Sequence, residues 1–284
     1  MVSMFYIALL LILLLSSCDF QPAPTELKNS SSSQKKQNNS NDVEQTVQKV
    51  SVPLSQQPLG SLKSNSRNVY SLAPEALFVG PPLEAARAIQ KKAYERLRTL
   101  IAANPGIVNA VSSTGMTLLA WAASQQSVEG VNILLKHGAD PNYIVTINQE
   151  QFQLLALAAG GSNDTLFDLL LQAGADPNSK DNDKTAVYAA IDARRWDRLE
   201  RLLTAGADLN SISRGGSPLI IYLAKINQYS QVEALIKRGV DLQVNDVGGA
   251  TLADYVRRFA LSSDTPNGRA HSRVRELLRQ RGLL

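Results

Sequence analysis

One cysteine and two histidines are the whole inventory of thiol and imidazole groups in this 284-residue chain. Cys18 alone can form neither an internal disulfide nor a cysteine-based zinc site. As a thiolate it is the one side chain suited to take a thioether-linked group. His137 ends the string LLKH, and His271 sits in an arginine-rich segment. Neither has a carboxylate and a nucleophile at a motif spacing, so no catalytic residue is assigned and the chain reads as a non-enzyme. The Asp-Asn pairs of GADPN lack the alternating acidic ligands and closing glutamate of a calcium loop. Gly160-Gly161 and Gly215-Gly216 are too few and wrongly spaced to cradle a phosphate. No metal and no cofactor is expected. Lys+Arg of 29 against Asp+Glu of 25 leaves +4, not gathered into one tract, which argues against a nucleic-acid partner.

What positions Cys18 is the run before it. Phe5 to Leu15 reads FYIALLLILLL, eleven apolar residues, about half of a bilayer span. The run fits a signal-peptide core. It ends in Leu15-Ser16-Ser17-Cys18, which resembles the lipobox of bacterial lipoproteins. That resemblance implies cleavage before Cys18, acylation of its sulfur and a stable membrane anchor. It also gives Asp19 a sorting role that favours the inner membrane over the outer, with the mature chain facing the periplasm. The n-region MVSM departs from the pattern because it has no Lys or Arg. The alternative is an ordinary signal peptide ending at a buried cysteine.

From Gln21 to about Ser71 the composition turns to Ser, Gln, Asn and Lys. Such a stretch buries too little apolar area to offset its conformational entropy, so residues 18–74 are expected to be a disordered tether after a signal peptide at 1–17.

The remainder, 75–284, repeats itself. LLKHGADPN (134–142), LLQAGADPN (170–178), LLTAGADLN (202–210) and LIKRGVDLQ (235–243) place glycines at 138, 174, 206 and 239, separated by 36, 32 and 33 residues. TLLAWAA (117–123), QLLALAA (153–159) and TAVYAAI (185–191) each start seventeen residues before the leucine pair. SPLIIYL (217–223) starts eighteen before, which implies one extra residue in that repeat. TLADYV (251–256) opens a last unit ending RVRELLRQRGLL. The pattern resembles ankyrin repeats, and ERLRTLIAANPGIVNAVSSTG (95–115) resembles their amino-terminal cap.

The expected fold is all-α, a solenoid of about five to six helix-turn-helix repeats. Thr117, Thr185, Ser217 and Thr251 are expected to cap the first helices, with Pro218 at a first helical position. The alanines of those helices permit close approach, and the second helices stop at the glycines. The family's TPLH histidine is replaced by Ala120, Ala156, Tyr188, Ile220 and Asp254, so its hydrogen bonds are expected to be missing.

The resemblance implies a protein-binding surface on the first helices and the loops between repeats. The lengthened loop 143–152 supplies Tyr143, Ile144, Gln149 and Phe152 as candidates. The alternative is that Ile144, Ile147 and Phe152 fold back on the stack. Trp121 and Gln125 are candidates on the first helix, although Trp121 also suits a core groove. Asp192, Arg194, Arg195 and Trp196 form a candidate cluster at a helix-helix turn, with the alternative that Trp196 is the packed residue starting the second helix, and Arg214 is a further contact. Seven arginines between 257 and 281 suit an acidic partner, anionic lipid, or simply a solvated helix face.

EALFVGPPLEAARAI (75–89) and GMTLLAWA (115–122) resemble bacterial ankyrin lipoproteins, some of which accompany type VI secretion phospholipase effectors. That resemblance implies an immunity protein that neutralises such an effector. The alternatives are an envelope adaptor, an accessory protein supporting a periplasmic enzyme such as catalase, and an enzyme whose site is invisible in sequence.

Overall fold

The structure, a computed structural model, describes residues 73–147, 149–259 and 261–284. The signal peptide, Cys18, Asp19 and nearly all of the tether lie outside the described residues. Among the described residues no helix is long and apolar enough to cross a membrane.

Six helix pairs follow one another: α1 (Gly80–Gln90) with α2 (Tyr94–Ala103), α3 (Leu118–Ser124) with α4 (Val128–Lys136), and α5 (Leu154–Gly160) with α6 (Asp164–Gln172). After these come α7 (Ala186–Asp192) with α8 (Trp196–Thr204), α9 (Leu219–Lys225) with α10 (Tyr229–Lys237), and α11 (Leu252–Arg258) with α12 (Pro266–Gln280). Second helices bury a stripe at helical spacing, such as Leu199, Leu202 and Leu203 on α8, or Val232, Leu235 and Ile236 on α10. First helices are short and rich in small residues. A Cβ on Gly160 would lie 3.2 Å from the Ala189 carbonyl oxygen, so α5 and α7 approach as the alanine content led one to expect.

Each second helix of the four strong repeats stops at its glycine, which sits at φ between +83 and +98°. The next N–H, of Ala139, Ala175, Ala207 or Val240, then returns to the carbonyl five residues back. Gly282 (φ +71°) and Leu283 close α12 in the same way.

The capping expectation holds for Thr117 and for Thr251, whose capping box with Asp254 is complete. It fails twice. The Thr185 hydroxyl is buried without a partner, and the Ser217 hydroxyl accepts from Lys225 Nζ at 2.9 Å. Pro218 occupies the N-cap of α9 itself, where Thr117 stands on α3. Both helices of the α9–α10 pair are displaced by 101 residues from α3 and α4, so this repeat holds no extra residue and its true register is PLIIYLA.

That register also moves the histidine-equivalent position from Ile220 to Ile221. At the corresponding position of α7, the Tyr188 hydroxyl lies 2.9 Å from the carbonyls of both Ser211 and Ser217 in the following repeat. An inter-repeat hydrogen bond expected to be missing is therefore made by tyrosine.

The all-α expectation omits one element. Strands β1 (Val145–Ile147), β2 (Glu150–Phe152), β3 (Lys180–Asp181) and β4 (Lys184–Thr185) form a small antiparallel sheet in that order, built from two successive loops between repeats.

Candidate functional site

The lengthened loop is a β-hairpin. Val145 pairs with Phe152, Thr146 with Gln151 and Ile147 with Glu150, and Gln149 takes φ +71° at the tip. Strand alternation decides which side chains it offers. Val145 and Phe152 turn into the stack, Ile147 is half-buried, and Ile144 (52% exposed) and Gln149 face solvent. Phe152, at 6% exposed, folds back as a core residue, the alternative to a partner contact; it takes the place before the α5 cap that Met116 takes before α3. Tyr143 is half-buried against the core.

Two devices hold the hairpin up. Asn182 in the next loop donates its backbone N–H to Gln151 O at 2.7 Å and accepts the Gln151 N–H at 3.1 Å. On the other side Gly115, at φ +86°, lets the Thr146 carbonyl approach so closely that a Cβ there would sit 2.4 Å from its oxygen.

Trp121 fills a core groove, the alternative to a partner contact. It is 1% exposed, its indole N–H donates to Ala86 O at 3.2 Å, and Phe78 meets its ring edge-on at 6.4 Å. Small Ala85 and Ala86 on α1 leave the space that the indole fills. Gln125, at the end of α3, stays half-exposed on the first-helix face.

At the turn after α7 the predicted cluster divides. Arg194 is exposed with φ +57°. Arg195 is half-buried and donates to the carbonyls of Gly161 (3.2 Å) and Ser162 (3.0 Å), and Trp196 packs partly against the core. Those two brace the stack: Trp196 is the packed residue that starts α8, and Arg195 is not the open contact expected. Arg214 is exposed in the loop before α9.

Asp192 is the centre of a constellation the sequence did not announce. Its carboxylate accepts from Lys184 Nζ at 2.6 Å and from the Tyr222 hydroxyl at 2.7 Å. Burial, and the Asp192 carboxylate beside it, push the Tyr222 phenol up to about 12, so it stays a donor. The next repeat builds a trio of the same residue types with the charges exchanged, since Lys225 ends α9 where Asp192 ends α7 and the carboxylate comes from the loop. Asp246 accepts from Lys225 Nζ (2.9 Å) and from the Tyr255 hydroxyl (2.7 Å), and also from the N–H groups of Gly248 and Ala250. The Lys225 ammonium and the Tyr255 hydroxyl hold the Asp246 carboxyl well below the usual carboxylate range. In the corrected register, Tyr222 and Tyr255 occupy the position of Trp121, the signal that would have found them.

The first-helix face is therefore apolar and closed near Trp121 and Phe152, and polar and hydrogen-bonded from Lys184 to Tyr255. Such an arrangement offers fixed donors and acceptors to a partner surface without a nucleophile-base pair. His137 Nδ1 bonds Ile133 O at 2.8 Å, and buried His271 bonds Val256 O at 3.1 Å. Among the described residues no group of three or more His, Cys, Asp or Glu is placed to hold a metal ion.

Residues 154–246 match the family model of ankyrin repeats in three copies, and residues 114–145 match that of a single ankyrin repeat. No curated protein matches the chain. Among solved structures, an ankyrin repeat domain from Acinetobacter baumannii AYE superposes with a TM-score of 0.53 at 21% identity, over 70% of this chain and 97% of that one. At that identity the likeness speaks for the fold alone.

Proposed function

We propose that these ankyrin repeats hold a protein partner against the face formed by the β1–β2 hairpin and the polar ends of α7, α9 and α11. One observation carries the reading. The hairpin projects Ile144 and Gln149 on a hydrogen-bonded base, beside the prearranged Lys184–Asp192–Tyr222 trio. A surface already fixed in its bound geometry costs little conformational entropy on association, which favours binding as its task.

The finer reading is an immunity protein. It is supported by the strings EALFVGPPLEAARAI and GMTLLAWA, which resemble ankyrin lipoproteins accompanying secreted phospholipase effectors. Its mechanism is stoichiometric occlusion: the hairpin and the polar ledge cover the effector's active-site mouth or its membrane-docking surface. Acylation at Cys18 keeps the inhibitor at the periplasmic face of the membrane under attack, and Asp19 retains it at the inner membrane.

Affinity capture with the chain from Gln21 onward tests this reading. The expected result is one dominant partner that kills cells lacking this protein when it is directed to the periplasm. Several harmless partners would instead mark an envelope adaptor or an accessory to a periplasmic enzyme.

A further inference from the structure

The outward flank of the last two second helices carries more positive charge than its carboxylates neutralise. Lys237 and Arg238 end α10, and five arginines run along α12 and its close from Arg269 to Arg281. Three carboxylates pair with these seven cations. Glu233 takes both Lys237 (2.9 Å) and Arg273 (2.7 Å), Glu276 takes Arg279 (2.7 Å), and Glu200 takes Arg238. Seven less three leaves four charges, and the neighbouring Asp264 carboxylate lowers the surplus to three. Arg269 donates only to the neutral carbonyls of Ser263 and Asp264. The Asp264 carboxylate accepts the Ser262 hydroxyl. Arg275 and Arg281 are exposed and make no ion pair among the described residues.

The charge of this flank suits an anionic occupant. The arginines stand on the solvent side of a helix whose opposite side buries Ala270, His271, Val274 and Leu278. The nearby cavity lined by Leu242, Val244, Leu252, Leu278 and Leu283 includes none of the cations. A plane of phosphate groups needs no recess, because guanidinium groups on long stems meet phosphate oxygens bidentately wherever the plane presents them.

We propose that the α10–α12 flank rests on an anionic bilayer surface and binds its lipid phosphates. This contact is separate from the partner-binding face and from any acylation of Cys18, so either can fail without the other.

The test is co-sedimentation of the full chain with phosphatidylcholine vesicles, and with the same vesicles containing phosphatidylglycerol. The full chain partitions more strongly onto the anionic vesicles, and added salt weakens the preference. The double variant Arg275→Gln/Arg281→Gln, which disturbs no ion pair, lowers that preference roughly tenfold or more. Equal partitioning of the parent chain onto both vesicles would overturn the proposal and leave the flank to an acidic protein or to solvent. Full preference retained by the double variant would overturn it too, since the charge responsible would lie elsewhere in the chain.

Discussion

Asn142 binds Asp176 across two successive repeats: the Asp176 N–H donates to Asn142 Oδ1 at 2.7 Å while Asn142 Nδ2 donates to Gly174 O at 3.1 Å. Asn109 makes the same pair of bonds to Asp140 and Gly138, and Asn178 to Asp208 and Gly206. The asparagine of each GADxN string is thus the tie to the next string. Asn142→Ala is expected to cost about 1–2 kcal/mol for the two lost bonds. Urea unfolding checks this, and Asn142→Asp, which keeps only the acceptor, should fall between the two.

Arg198 is the one fully buried arginine side chain among the described residues. It donates to the carbonyls of Ala158 (2.5 Å) and Gly161 (2.7 Å) at the end of α5 and to Asp164 (2.5 Å), where the negative end of the helix dipole favours a cation. Arg198→Ala leaves those acceptors unpaired and should cost about 3 kcal/mol. Asp164→Asn should cost far less, because that carboxylate is largely exposed. Equal losses in the two variants would refute this division of roles.

Glu233 sets an acid limit on the carboxy-terminal pair. The Arg273 guanidinium, joined by Lys237, lowers its carboxyl from 4.5 to about 2. A depressed folded value means the contribution is complete above about 4.5 and is lost as pH falls through about 2. Unfolding midpoints should drop over that window, and the drop should shrink in Glu233→Gln.

Gly115→Ala should displace the hairpin, since it places a methyl on the Thr146 carbonyl in a left-handed backbone. The expected cost is about 1–3 kcal/mol, with a loss of partner binding larger than the loss of stability predicts. Hydrogen exchange at residues 145–152 reports the displacement directly.

How much of this was legible follows from which contacts are local. Gly138, Gly174, Gly206 and Gly239 announced the helix ends because a left-handed stop depends only on its own turn. Thr117 announced its cap for the same reason. Asn182 gave no such signal, because its pairing with Gln151 joins loops about thirty residues apart. The Tyr222 trio is hidden by a one-residue ambiguity: with Ser217 as the cap, Tyr222 falls out of the column that holds Trp121 and Tyr255. Trp121 leaves both a surface and a core-groove reading open in the sequence, because only the preceding repeat, with Ala85 and Ala86, shows that a pocket awaits it.

The most direct test of the central claim is partner capture by the full chain against two face variants, Ile144→Asp and Asp192→Arg. Ile144 is half-exposed and Asp192 lies at the surface end of α7, so circular dichroism should show both variants folded. The account predicts that the partner held by the parent chain is lost or bound at least tenfold more weakly by each. Undiminished capture by both folded variants would contradict it and move the binding site off this face.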